Sequence, residues 1–139
     1  MQIEFISSVA ILSQDPGASH KLFVDELGLP LQDQGGDGYF HSEQIEGTRH
    51  FGVWPLSHAA EACFGSPEWP SNRPIPQASI EFEVGSPEQV TEAAAELQVH
   101  GYALLHGARQ EPWGQTVARF VSHEGAILGI SYAPWMHGD

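Results

Sequence analysis

The strongest constraint on this chain is a pattern that occurs twice. Gln2 to Ser13 reads as a strand, with Ile3, Phe5, Val9 and Ile11 as apolar anchors, and it runs into Asp15-Pro16. Asp is a good N-cap and Pro is tolerated in a first helical turn, so a helix is expected there. Leu22, Phe23 and Leu27 fall at helical spacing until Gly28 ends it. The same order returns at Ala78 to Val84, a strand with Ile80, Phe82 and Val84 on one face and Ser79, Glu81 and Glu83 on the other. Ser86-Pro87 then opens a helix that turns Val90, Ala94 and Leu97 to a core, sets Glu88 and Glu92 near its positive end and closes at Gly101.

Three strands are expected to follow each helix. In the first half they are Leu29 to Gln32, Tyr39 to Ile45 beyond the Gly35 to Gly38 turn, and Thr48 to Pro55, where His50, Gly52 and Trp54 alternate with Arg49, Phe51 and Val53. In the second half Tyr102 to His106 leads to a hairpin, Gln115 to Val121 and Ala126 to Ala133, around a turn at Ser122 to Gly125. Ser57 to Cys63 suits a short helix, and Gly65 to Pro76 holds four prolines in twelve residues, which reads as an extended linker. The chain is therefore expected to be α+β, a βαβββ unit repeated. Residues 1–64 form a first module, 65–77 a Pro-rich linker and 78–139 a second module, all within one integrated domain. A sheet with one helix leaves its other face bare, so two copies would set concave faces together and enclose a cleft.

Charge narrows the partners. Eighteen acids against five bases give −13, a field that repels phosphate backbones and anionic membranes and favours a cationic small molecule or plain solubility. Neither nucleic acid nor a membrane is expected as a partner. The longest apolar run, around Ala126 to Tyr132, is far short of the ~20 residues of a membrane span, and the first residues, MQIEFISSVAILSQD, lack a basic leader region, so a cytoplasmic protein is expected. The single Cys63 reads as a buried small hydrophobe in a reducing compartment. Eight histidines show no close pair on one strand face or helix turn. They read as surface, capping or packing groups, except His50, which shares a strand face with Gly52 and Trp54.

With the repeat, the run Trp113-Gly114, a strand, the turn Ser122-His123-Glu124-Gly125 and a closing strand resembles the vicinal oxygen chelate superfamily, which includes glyoxalase I, extradiol dioxygenases and bleomycin resistance proteins. The resemblance runs from Phe5 to Tyr132, and the turn departs from the family's common Asp-Pro-Asp-Gly. Metal enzymes of the family place His, Gln or Glu on the first and last strands of each repeat. Counting from the two caps puts Ser8 and Ser79 at the first-strand positions, and counting from Gly125 puts Gly129 at a last-strand position. The fourth falls on His50 or on Phe51, depending on whether Pro55 or the Glu46-Gly47 turn sets the frame. Serine is a poor ligand for such metals and glycine offers no side chain.

The resemblance therefore implies a protein of the bleomycin-resistance type, a homodimer that binds a small, cationic or aromatic ligand in its cleft with neither metal nor cofactor. The alternative is a metal-dependent glyoxalase-like lyase, isomerase or dioxygenase with a site built on His50 and Glu81 or Glu83. His50, Trp54, Glu81, Glu83, Thr116 and Phe120 are expected on the cleft face with Gly129, and Trp113 and Trp69 at its mouth. Arg119 would lie on the helix side or the rim. Glu81 and Glu83 also fit a solvated strand face, and Gly52, Gly129 and Ser131 suit either pocket space or close backbone approach.

Overall fold

A computed structural model describes residues 1–138; Asp139, the end of the expected second module, lies outside the described residues. Alternation and caps yield β1 (Phe5–Ser13), α1 (Pro16–His20), β2 (Phe40–Ser42), β3 (Phe51–Pro55), α2 (Leu56–Phe64), β4 (Ala78–Glu83), α3 (Pro87–Val99), β5 (Leu104–Gln110), β6 (Thr116–Val121) and β7 (Ile127–Tyr132). Asp15 caps α1 by accepting from the Ala18 N–H at 3.1 Å, and Ser86 caps α3 by accepting from Gln89 N–H at 3.2 Å. Beyond His20 the first helix widens into a π-helical stretch over Lys21–Glu26 before Gly28, at φ 69°, turns the chain out.

Among the described residues the strands form one open mixed sheet of order β2-β3-β1-β4-β7-β6-β5. The fold is α+β, as the tandem pattern implies, but the two halves meet edge to edge and not face to face. β1 and β4 pair antiparallel at the centre, each flanked by a parallel neighbour, β3 and β7 respectively. The strand expected at Leu29 to Gln32 is reduced to one bridge between Gln32 and His41.

Register assigns the faces, because residues directly opposite in a ladder point the same way. Phe51, Val9, Ile80, Leu128 and Phe120 share one face. On that face the first helix packs Phe23 and Val24 around Phe40, Val53 and Leu31, and α3 packs Val90, Ala93 and Ala94 on Val84, Ala118 and Ile130. The other face carries two rows, Gly52, Ala10, Ser79, Ile127, and Ser8, Glu81, Gly129, Arg119. α2 covers only one end of it, seating Ala59 and Cys63 on Ile127 with Leu12, Trp54 and Leu105 around them. Burial drives the Cys63 thiol pKa up to about 11, so it is an inert core group. The rest of this face is open, and there the side chains converge.

Candidate functional site

The uncovered face holds a cleft of about 960 Å³, large enough for a drug-sized molecule. Glu81 lies at its floor beside Ser8 and Ser79. Gln115 Nε2 donates to Glu81 Oε1 at 2.9 Å and to Ser131 Oγ at 2.8 Å, and Gln115 Oε1 accepts from the Trp113 indole at 2.8 Å. An indole can only donate, so the amide oxygen must face Trp113 and the amide nitrogen must face Glu81. No described group hydrogen-bonds Glu81 Oε2, which is left to the cleft. Desolvation raises the Glu81 pKa, against the smaller pull of Arg119 and the Gln115 bond.

At the α2 end, positive charge is already consumed. Arg119, 1% exposed, donates from Nη1 to Glu111 Oε1 at 2.8 Å, and Arg109 Nε reaches the same oxygen at 3.2 Å. Arg119 Nη1 also lies 3.1 Å from His106 Nε2, which must accept; the His106 proton is therefore on Nδ1, donated to Gly107 O at 2.7 Å. Burial holds His106 below its usual pKa, against the Gly107 bond. Arg109 Nη2 donates to the Ala62 carbonyl, which ties α2 to β5. Both arginines of the cleft thus serve one carboxylate. Asp37, Glu43, Glu61 and Glu81 line the same cleft and take part in no ion pair among the described residues.

The opposite wall is aromatic. Tyr39 stacks on His41 with centroids 4.5 Å apart, His41 stacks on His50 at 4.9 Å, and the Tyr39 hydroxyl hydrogen-bonds His50 Nε2. Gly52 makes room for this: a Cβ there would sit 2.8 Å from Tyr39 Cε1. The space at Gly52 is filled by an aromatic ring, and that at Gly129 by Glu81 Cγ and Val117 Cγ2, each 3.2 Å from where a Cβ would be. Gly52→Ala is expected to displace Tyr39 at a cost of about 1–3 kcal/mol, measured by urea unfolding; an unchanged midpoint would mean that the ring moves freely.

Burial, and next the charge of His41, lowers the His50 pKa from 6.5 to about 4. A base depressed in this way is protonated in the unfolded chain first, so the stability it contributes is full above pH 6.5 and is lost between pH 6.5 and about 4. Melting temperatures across that range are expected to fall less steeply in His50→Gln than in the parent, and parallel curves would refute the assignment.

His50, Trp54, Glu81 and Trp113 are brought together in the cleft. Four expected residues, Thr116, Phe120, Glu83 and Trp69, are not. Thr116 and Phe120 lie opposite Tyr132 and Leu128, which places Phe120 and Tyr132 in the α3 core; it is Arg119, opposite Gly129, that faces the cleft. The alternation was right and the face was inverted, since β6 takes its face from the hairpin register with β7. Glu83 has the expected parity but is fully buried beyond the cleft, where Oε2 accepts from the Ala133 N–H and from His137 Nε2. Trp69 packs edge-on against Phe64 at 5.0 Å and donates to Pro74 O, away from the cleft. Sequence reasoning missed Tyr39, His41, Glu111, Gln115 and Arg119. Counting outward from the Ser122 to Gly125 turn sets Arg119 against Leu128; the loop is one residue shorter, His123 to Gly125, with Ser122 paired to Ala126, and only that count sets Arg119 against Gly129. The Tyr39, His41 and His50 stack crosses two strands and leaves no local signal.

A family model described as the Glyoxalase/Bleomycin resistance protein/Dioxygenase superfamily matches residues 5–128. The chain belongs to this superfamily, that of the vicinal oxygen chelate fold. No curated protein matches it in sequence. Among solved structures, a superfamily member from Vibrio splendidus is similar over 95% of this chain and 100% of that one, at 12% identity and TM-score 0.57. A methylmalonyl-CoA epimerase variant from Streptomyces coelicolor, in complex with 2-nitronate-propionyl-CoA, is similar over 99% of this chain and 100% of that one, at 11% identity and TM-score 0.57. A Mn(II)-bound glyoxalase from Novosphingobium aromaticivorans is similar over 91% of this chain but 37% of its own, at 18% identity and TM-score 0.57. These likenesses establish the fold alone.

Within the superfamily, the donor set decides whether a metal fits. The shift that carries Asp15-Pro16 onto Ser86-Pro87 also carries Ser8 onto Ser79 and Ala10 onto Glu81, and the parallel ladders pair Ala10 with Gly52 and Glu81 with Gly129. The counterpart of Gly129 is therefore Gly52, and neither His50 nor Phe51. Two serines and two glycines occupy the four positions, and among the described residues no three His, Cys, Asp or Glu side chains converge as a metal site requires. These residues do not fit the family's divalent ion.

Proposed function

We propose that this superfamily member binds a small organic cation with a flat apolar portion, in the cleft and without a divalent metal. The observation that carries the reading is Glu81: a carboxylate on the cleft floor with one oxygen unpartnered, while both nearby arginines are tied to Glu111. Trp54, Trp113, Tyr39 and His41 supply ring faces around it, and a cation over such faces gains from the ring quadrupole as well as from the charge. Calorimetric titration with a planar monocation such as proflavine, beside a planar anion of similar size such as naphthalene sulfonate, tests the reading. Saturable binding of the cation alone is expected. Preference for the anion, or no binding by either, would overturn it.

The raised Glu81 pKa favours a second reading, in which the same carboxylate exchanges a proton with the ligand. A methylmalonyl-CoA epimerase is among the proteins similar in fold, and inverting a stereocentre is one reaction that a carboxylate acting as a base can serve. The metal-dependent lyase, isomerase or dioxygenase finds no support in the serines and glycines at the four donor positions. The first reading also takes the chain to be a cytoplasmic homodimer, with neither nucleic acid nor membrane as partner. The likeness to the bleomycin-resistance type supports the dimer, and sedimentation velocity tests it; among the described residues no helix is long and apolar enough to cross a membrane.

A further inference from the structure

The last strand does not end at the edge of the cleft. Beyond Tyr132 the chain folds back as Ala133, a single 3-10 turn over Pro134–Met136, and His137. This strap puts Ala133, Trp135 and Met136 into the cleft lining. It has little apolar adhesion of its own: Trp135 is 51% exposed, and neither Trp135 nor Met136 joins a hydrophobic cluster of the core. What holds it is polar. Glu83 is fully buried, and the two hydrogen bonds to its Oε2 both come from the strap, from the Ala133 N–H and from His137 Nε2 at 2.8 Å. His137 is seated for that bond by stacking on Tyr132 with centroids 4.5 Å apart, with the Phe5 ring tilted to it at 5.7 Å and Glu4 at 3.9 Å from Nδ1. Glu83 Oε1 has no partner at all among the described residues.

A buried carboxylate is costly unless its partners are in place. Here every hydrogen-bond partner of that carboxylate among the described residues belongs to one short segment, and that segment is a wall of the cleft. We propose that Glu83 is a positioning residue, a latch that sets Trp135 and Met136 against the cleft through His137, and that releasing it swings the strap away and opens that end. Local opening of this kind takes place where apolar contacts are few and a handful of polar bonds carry the segment. The inference stands on the geometry of the strap and does not depend on what the cleft binds.

Methionine oxidation reads it directly, because the chain has two methionines and one of them, Met1, is 49% exposed and remote in sequence from the strap. Brief treatment of the full chain with hydrogen peroxide, followed by mass spectrometry, gives the oxidation rate of Met136 relative to Met1. His137→Ala is expected to raise that ratio about fivefold or more, and Glu83→Gln to raise it less, since the amide still accepts from Ala133. His137→Gln, whose amide nitrogen can replace Nε2 as donor, is expected to restore protection. Hydrogen exchange in the peptide covering residues 133–138 should quicken in His137→Ala while that of β4 and β6 stays as in the parent. If Met136 oxidises at the parental ratio in His137→Ala, or if His137→Gln is as exposed as His137→Ala, the latch is not there. Glu83→Gln can lose the fold altogether, so the two His137 variants, whose side chain is 19% exposed in the parent, are the deciding pair.

Discussion

Glu111→Leu is expected to lower the free energy of unfolding by about 3–5 kcal/mol, the cost of leaving one partner of a buried ion pair without the other. Arg119 is 1% exposed and its guanidinium cannot shed its charge to escape. Without Glu111 it would keep only the neutral His106 at Nη1 and the Trp54 ring beneath it, 5.7 Å from the guanidinium carbon. The effect should reach α2 as well, because Glu111 also orients Arg109, and Arg109 holds the Ala62 carbonyl. Urea unfolding of the single and of the double variant Glu111→Leu, Arg119→Met separates charge from packing. The double variant should recover most of the loss, since an apolar pair of similar volume replaces a buried ionic one with little penalty. A single-variant loss below about 1 kcal/mol would place the pair among exposed ones. Burial alone would push the Glu111 pKa up, but the bonds and charges of Arg119 and Arg109 outweigh it and hold it below 4.5. The sign follows: this stabilisation is present above pH 4.5 and is lost as pH falls through the depressed value.

The other large effect concerns binding. Glu81→Gln keeps shape and hydrogen-bonding capacity but removes the charge proposed to meet the ligand, and loss of a buried charge partner costs about 2–5 kcal/mol, or roughly 30-fold or more in affinity. Titration with the same planar cation measures it. Folding should respond in the opposite direction. A carboxyl whose pKa is raised in the folded state ionises more readily in the unfolded chain, so Glu81 destabilises the fold increasingly as pH rises above 4.5, until it is ionised in both states. At neutral pH the Gln variant is therefore expected to be the more stable protein and the poorer binder. Unchanged affinity, or a variant less stable than the parent at pH 7, would contradict this account. Such opposition between stability and function marks a residue kept for its chemistry.

Most of the framework was legible in the residues. Asp15-Pro16 and Ser86-Pro87 located both long helix starts, the alternation of β3 and β4 placed His50, Trp54 and Glu81 on one face, and Trp113-Gly114 with the Gly125 turn pointed to the superfamily. These are local signals, set by cap chemistry and by the two-residue period of a strand, and a sequence carries them in full. The face of β6 was misread because alternation fixes which residues go together but not which set looks inward; only pairing with β7 decides that. Edge-to-edge joining of the halves was likewise invisible, since β1 and β4 are separated by most of the chain's first half and their pairing has no sequence mark.

The sequence by itself determined the repeated units, their helices and the residues at three of the family's four donor positions, Ser8, Ser79 and Gly129, because each of these follows from residue type at a local spacing; the fourth, Gly52, needed the pairing of β1 with β3. Tertiary structure alone decided that Gln115 orients Glu81, that both arginines are spent on Glu111, that Tyr39 fills the space over Gly52, and that Glu83 meets Ala133 and His137 of the strap instead of facing the open cleft. The reason is common to all four: each is a contact fixed by strand register and burial, and register is settled only when the whole sheet packs.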